Sequence, residues 1–184
     1  RAFYEEKLAP QMAWIGALRR ALPDDVVIVD ELTQIGYVAR VGFPQYRPRS
    51  YITSGYQGTL GFGFATALGA KVACPDRPVV SITGDGGFMF NVQELSTAVQ
   101  NGIHLITVIF ADGAFGNVQR MQREDYDNRV IATDLHNPDF VRLAESFGAQ
   151  GARVETPAEL EAALARALRE PAPWLIEARV GRLP

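Results

Sequence analysis

Apolar positions along the chain fall into two alternating rhythms. Short, mainly apolar runs at 26–29, 79–83, 104–110 and 174–180 have the length of buried strands. Residues 51–53 and 152–154 repeat the signal more weakly. Between the runs the period lengthens to that of a helix. Met12, Trp14, Ile15, Leu18 and Leu22 share one face until Pro23 stops them, in a helical lead-in that reaches back to Tyr4. Residues 59–74 form a small-residue helix ended by Pro75, 91–101 a second, and 115–122 a short third. Asn137-Pro138-Asp139 opens another, with Phe140, Leu143, Ala144 and Phe147 as its apolar face and Gly148 as its stop. Thr156, Pro157 and Glu159 stand at N-cap, N1 and N3 of a helix reaching Leu168. Residues 42–58, rich in Gly, Pro, Tyr and Arg, read as an ordered loop. Strands alternating with helices predict an α/β fold: a doubly wound parallel sheet with helices on both faces. The 184 residues are expected to form a single domain, residues 1–184.

Composition adds exclusions. A formal net charge of -3 gives nucleic acid no electrostatic footprint. Cys74 is the one cysteine, so an internal disulfide and a cysteine-only metal site are ruled out. No apolar run approaches the ~20 residues that span a membrane. The amino end is charged and lacks the apolar core of a signal peptide, and a cytoplasmic setting is expected.

The chemistry concentrates between Gly84 and Asp112. Asp85, between Gly84 and Gly86, directly follows one strand run; Asp112 directly follows another; a helix lies between. In a parallel βαβ unit both acids come to the same sheet edge. Magnesium takes oxygen ligands and commonly bridges one or two carboxylates to substrate phosphates. Gly86 and Gly87 leave the backbone open beside a helix start, where a diphosphate is favoured. Gly113-Ala114 permits a tight turn whose carbonyl adds a ligand. Each acid taken singly is better explained as a turn cap. Glu31, Thr33 and Gln34 follow another strand end and are read either as substrate contacts or as surface polar residues. Phe115, Gln119 and Gln122 follow the metal turn as part of a substrate-side loop. His104, His136 and Cys74 are read as structural, Cys74 as a small buried residue.

The segment 84–112 resembles the thiamin-diphosphate motif, Gly-Asp-Gly followed across one helix by an Asn pair. The stretch 54–71, with Gly58-Thr59-Leu60-Gly61, resembles the cofactor loop and helix of acetolactate synthases. Asn137-Pro138-Asp139-Phe140-Val141 and residues 143–148 also look like that family. The resemblance is to the carboxyl-terminal, diphosphate-binding domain of the acetolactate synthase, pyruvate oxidase and benzoylformate decarboxylase group. It implies thiamin diphosphate and Mg2+ as cofactors. Asp85, Asp112 and the Ala114 carbonyl are the implied metal ligands. Gly84, Gly86, Gly87 and Phe115 are implied at the cofactor, with the Gly58 carbonyl accepting from its aminopyrimidine. Leu60 is implied beneath the cofactor, where the family often has Met.

Two departures stand out. Ala111-Asp112 occupies the place of the Asn pair. The glutamate that activates the cofactor in this family belongs to a separate pyrimidine-binding domain, for which 184 residues leave no room. No catalytic residue is therefore assigned in this chain, which is read as the carboxyl-terminal part of a longer one. The implied partners are a pyrimidine-binding domain of the same or another chain and a 2-oxoacid, in a homodimer or homotetramer. The implied activity is that of an acetolactate synthase-like lyase or transferase. Alternatives are the small subunit of a two-chain 2-oxoacid decarboxylase, such as the sulfopyruvate type, and a non-catalytic cofactor-binding or assembly domain. A nicotinamide dinucleotide module is disfavoured, because residues 58–63 lack the G-x-G-x-x-G order.

Overall fold

The computed structural model describes residues 6–182; the part of the helical lead-in before residue 6 lies outside them. Six strands form one sheet: β1 (Val27–Asp30), β2 (Tyr51–Ile52), β3 (Val79–Gly84), β4 (Ile106–Ala111), β5 (Gln150–Val154) and β6 (Trp174–Arg179). Their order is β2-β1-β3-β4-β6-β5, and every pairing is parallel.

Side chains alternate across the sheet and separate two cores. Ile28, Val80, Ile82, Val108 and Ile176 face one side. There they meet α1 (Ala9–Ala21), α2 (Gln34–Gly42) and α8 (Pro157–Ala167). Val27, Val29, Val79, Ile109 and Leu175 face the other. That side is covered by α3 (Phe62–Ala73), α4 (Asp85–Phe88), α5 (Leu95–Gln100) and α7 (Phe140–Phe147). The remaining helix, α6 (Gly116–Asp125), follows β4. Strands buried on both faces explain the mainly apolar runs. No helix among the described residues is long and apolar enough to cross a membrane.

Several boundaries differ from those expected. Residues 34–42, left without an element, form α2; Ile35, Val38 and Ala39 are its buried face, at helical spacing. Helix α3 begins at Phe62 rather than at residue 59, because Gly61 takes the left-handed conformation at φ 83°. The helix expected over 91–101 is split. Asp85–Phe88 already forms a helical turn, and a 3-10 turn at Val92–Glu94 precedes α5. His104 is exposed and precedes β4 rather than opening it, and Cys74 is only half-buried.

The chain runs from β1 outward to β2, then crosses to the other side of β1 for β3 and β4. That reversal opens a crevice at the carboxyl ends of β1 and β3, where ligands of open α/β sheets bind.

Candidate functional site

The crevice is a cavity of about 270 Å³. Four strand ends build it. Leu32, Thr33, Gln34 and Tyr37 come from the β1–α2 junction; Gly58 and Leu60 from the loop after β2. Gly84, Asp85, Gly86 and Gly87 follow β3, and Asp112 and Ala114–Val118 follow β4. All nine residues implied at a cofactor line this one cavity.

Gly84 pairs in register with Phe110, so the acids just beyond them sit on neighbouring strands. Asp85 is buried. Its Oδ1 accepts from the Gly86 N–H at 2.9 Å. Its Oδ2 accepts from the Gly113 N–H at 2.8 Å and from Asn137 Nδ2 at 2.6 Å. Asp112 is half-buried; its Oδ1 accepts from the Ala114 N–H at 3.2 Å and its Oδ2 from Gln34 Nε2 at 3.1 Å. Burial and the nearby charge of Asp85 push the Asp112 carboxyl above the usual carboxylate range, against the opposing pull of these donors and of Arg182. Neither acid has a salt-bridge partner among the described residues; the Arg182 guanidinium is taken by Asp134 at 2.7 Å.

The glycines line the cavity and are also needed for packing. A Cβ at position 86 would run into the Phe115 ring and approach Leu135 at 3.0 Å. A Cβ at 87 would overlap the Glu31 carboxylate. Helix α4 is pinned by Phe88, fully buried between Phe64 and Phe140 with ring centroids 5.1 and 6.0 Å away. Such edge-to-face contacts add about 0.5–1.5 kcal/mol each beyond burial. They fix the turn that carries Asp85.

Glu31 is neither a substrate contact nor a surface residue. It is fully buried. Its Oε2 accepts from the Thr83 hydroxyl at 2.6 Å, and its Oε1 accepts from the Gly61 N–H. It therefore staples the loop that carries Gly58 and Leu60 to the end of β3. Asn91 Nδ2 closes the same loop by donating to the Gly61 carbonyl. Thr33 packs against Gly84 and lines the cavity, as does Gln34. Of the substrate-side loop, Phe115 lines the cavity, but Gln119 and Gln122 turn away. Gln119 holds Thr133 and Asp134, and Gln122 holds the backbone at Ile131.

Sequence reasoning missed Tyr37 and Asn137. The helical spacing of Ile35, Val38 and Ala39 was a usable signal for the first. The second sits 52 residues from the Asp85 it contacts. In the Asn137-Pro138-Asp139 helix start, Asp139 is the cap, accepting from the Val141 and Arg142 N–H groups.

Residues 33–178 match the model of the thiamine pyrophosphate enzyme C-terminal TPP binding domain. The chain belongs to this family. It is 39% identical over 168 residues to the acetolactate synthase isozyme 3 large subunit of Escherichia coli (strain K12), a match covering 91% of the chain and 29% of that protein. It is 43% identical over 136 residues to a probable acetolactate synthase large subunit of Methanococcus aeolicus, covering 73% of the chain and 23% of that protein. A thiamine diphosphate-dependent 4-hydroxybenzoylformate decarboxylase of Rhodococcus jostii RHA1 superposes with a TM-score of 0.87 at 30% identity. That match covers 94% of the chain and 33% of the decarboxylase chain. This TPP-binding domain is thus of the acetolactate synthase-like type and spans about a quarter to a third of the relatives it matches.

A magnesium ion suits the donor set. Two carboxylates share one cavity, the charge of Asp85 makes ionisation of Asp112 costlier, and neither acid has a salt-bridge partner among the described residues. Among the described residues no third His, Cys, Asp or Glu joins them. The remaining positions of an octahedral ion would fall to a carbonyl, water and ligand phosphate, the usual magnesium arrangement.

Proposed function

We propose that this TPP-binding domain holds the magnesium-bound diphosphate of thiamin diphosphate in a 2-oxoacid decarboxylase or carboligase of the acetolactate synthase type. The observation that carries the proposal is the pair Asp85 and Asp112, at adjacent strand ends in one cavity and without a salt-bridge partner among the described residues. Asp85, Asp112 and the Ala114 carbonyl would hold the metal. Gly84, Gly86 and Gly87 would meet the diphosphate at this short turn. Gly58 and Leu60, on the loop stapled by Glu31, would contact the rest of the cofactor, with Leu60 supporting its bent shape and Phe115 closing the far wall. When bound, thiamin diphosphate supplies the carbanion chemistry that releases carbon dioxide from a 2-oxoacid; the chain's own residues bind and orient it.

A pyrimidine-binding domain, from the same or another chain, would supply the activating glutamate and complete the cavity. Residues 1–184 alone should therefore show no turnover, and decarboxylation by the pure chain would overturn that part. A homodimer or homotetramer acting in the cytoplasm belongs to the same proposal. Calorimetry with thiamin diphosphate, with and without Mg2+, tests the site. Binding should require the metal, and Asp112→Ala should weaken it at least tenfold, about 1.4 kcal/mol. Unchanged metal-dependent affinity in Asp112→Ala would remove Asp112 from the metal.

A further inference from the structure

We infer that Gln34 is a positioning residue that holds Asp112 toward the metal and selects a carboxylate, rather than an amide, at position 112. The inference rests on the proposed metal role of Asp112, but its core is a donor and acceptor argument that needs no metal.

Gln34 is the buried first residue of α2. Its Nε2 donates to Asp112 Oδ2 at 3.1 Å and to the Gly181 carbonyl at 2.9 Å. Its Oε1 accepts from Gln11 Nε2 at 3.2 Å. These partners fix the amide's orientation. Turned over, it would set an oxygen against the Gly181 carbonyl, a backbone group that cannot invert. On the other side, Asp112 Oδ1 faces the Ala114 N–H at 3.2 Å, also a backbone group. Position 112 is therefore bracketed by two N–H donors, neither of which can become an acceptor. A carboxylate offers two acceptor oxygens and satisfies both. An asparagine offers one oxygen and one NH2, so one N–H would always face another. This accounts for Asp112 standing where the motif it resembles has Asn. Gln34 also ties the orientation of Asp112 to β6 through Gly181 and to α1 through Gln11. The rotamer is thus set by the scaffold before any ion arrives.

The test is a double-mutant cycle in the full natural protein that contains this chain. Two readouts are followed: the thermal midpoint of metal-free protein, and Mg2+ affinity in the presence of thiamin diphosphate. Replacing one charge-assisted hydrogen bond, Gln34→Met should weaken Mg2+ affinity about tenfold. In the metal-free protein, Asp112→Asn should lower the midpoint relative to its effect in the Gln34→Met background. A Gln34→Leu background, which removes the same donor without adding a charge, should give the same result as Gln34→Met. Relief of repulsion with Asp85 is common to all backgrounds and cancels in the cycle. An effect of Asp112→Asn that is equal in all three backgrounds would overturn the inference. Should Gln34→Met fail to fold, the Gln34→Leu background carries the test alone. The metal-free midpoints decide the coupling, whereas Asp112→Ala decides the metal role, so the two failures are distinguishable.

Discussion

Two pairs of acids stand at strand ends on the same edge of this sheet, and their fates are opposite. Asp30 and Glu31 close β1; Asp85 and Asp112 lie just beyond Gly84 and Ala111 at the ends of β3 and β4. Asp30 is fully buried against Arg40, at 2.6 Å, and accepts from the Tyr51 hydroxyl at 3.1 Å. Glu31 is fully buried among Thr83, Gly61 and Gly63. Both are consumed by the fold. Asp85 and Asp112 are also held by neutral donors, but unlike Glu31 they line the cavity, where a cation can reach them. Buried charge is costly unless paired. An acid pair that the scaffold orients but does not neutralise is therefore prepared for a cation from outside.

The sharpest way to break this comparison is to remove one member of the outward pair. Asp85→Ala should abolish magnesium-dependent binding of thiamin diphosphate, with a loss beyond a hundredfold, about 2.7 kcal/mol or more. Calorimetry with and without Mg2+ measures it, and circular dichroism confirms that the fold persists. If Asp85→Ala bound the metal and cofactor as the parent does, the outward pair would be structural as well, and the distinction would collapse.

From the sequence, the α/β rhythm, the parallel sheet and the alignment of Asp85 with Asp112 were legible. Each depends on local periodicity and on acids placed directly after strands. The two fates of the acids were not legible, because they depend on partners far along the chain. Thr83 lies 52 residues from Glu31, Gln34 78 from Asp112, and Asn137 52 from Asp85. Helix α2 was not expected although its apolar spacing is present, because it is only nine residues long and carries Gly36 and Gly42, which lower helix propensity. Gly86 and Gly87 line the cavity, and they answer a second demand that local sequence does not show. Their missing side chains make room for the Phe115 ring and the Glu31 carboxylate.

That second reason predicts the next effect. Gly87→Ala would push a methyl group into the Glu31 carboxylate, which bonds to Thr83 and Gly61 prevent from moving aside. Overpacking of this kind costs about 1–3 kcal/mol. The thermal midpoint should fall, and metal-dependent cofactor affinity should fall with it, because the displaced Glu31 releases the loop carrying Gly58 and Leu60. A Gly87→Ala protein as stable as the parent would show that Glu31 is mobile and does not couple the two halves of the cavity.

The smallest effect concerns the charge of Glu31 itself. Burial is the main cause that raises its carboxyl above the ordinary 4.5, and the hydrogen bonds from Thr83, Gly61 and Gly63 only partly offset it. A raised acid in the folded state means that the unfolded chain ionises first as pH increases. Stability linked to Glu31 is therefore fully present below the ordinary value and is lost as pH rises through the folded one. Glu31→Gln keeps the shape and cannot ionise. The variant should match or trail the parent at about pH 4 and gain on it steadily toward about pH 8, as read from urea midpoints. The raised Asp112 carboxyl contributes to both proteins alike and drops out of their difference. A difference that stays flat with pH would mean that Glu31 is ionised as easily in the fold as outside it. Its place among the acids that the fold consumes would then rest on hydrogen bonding alone.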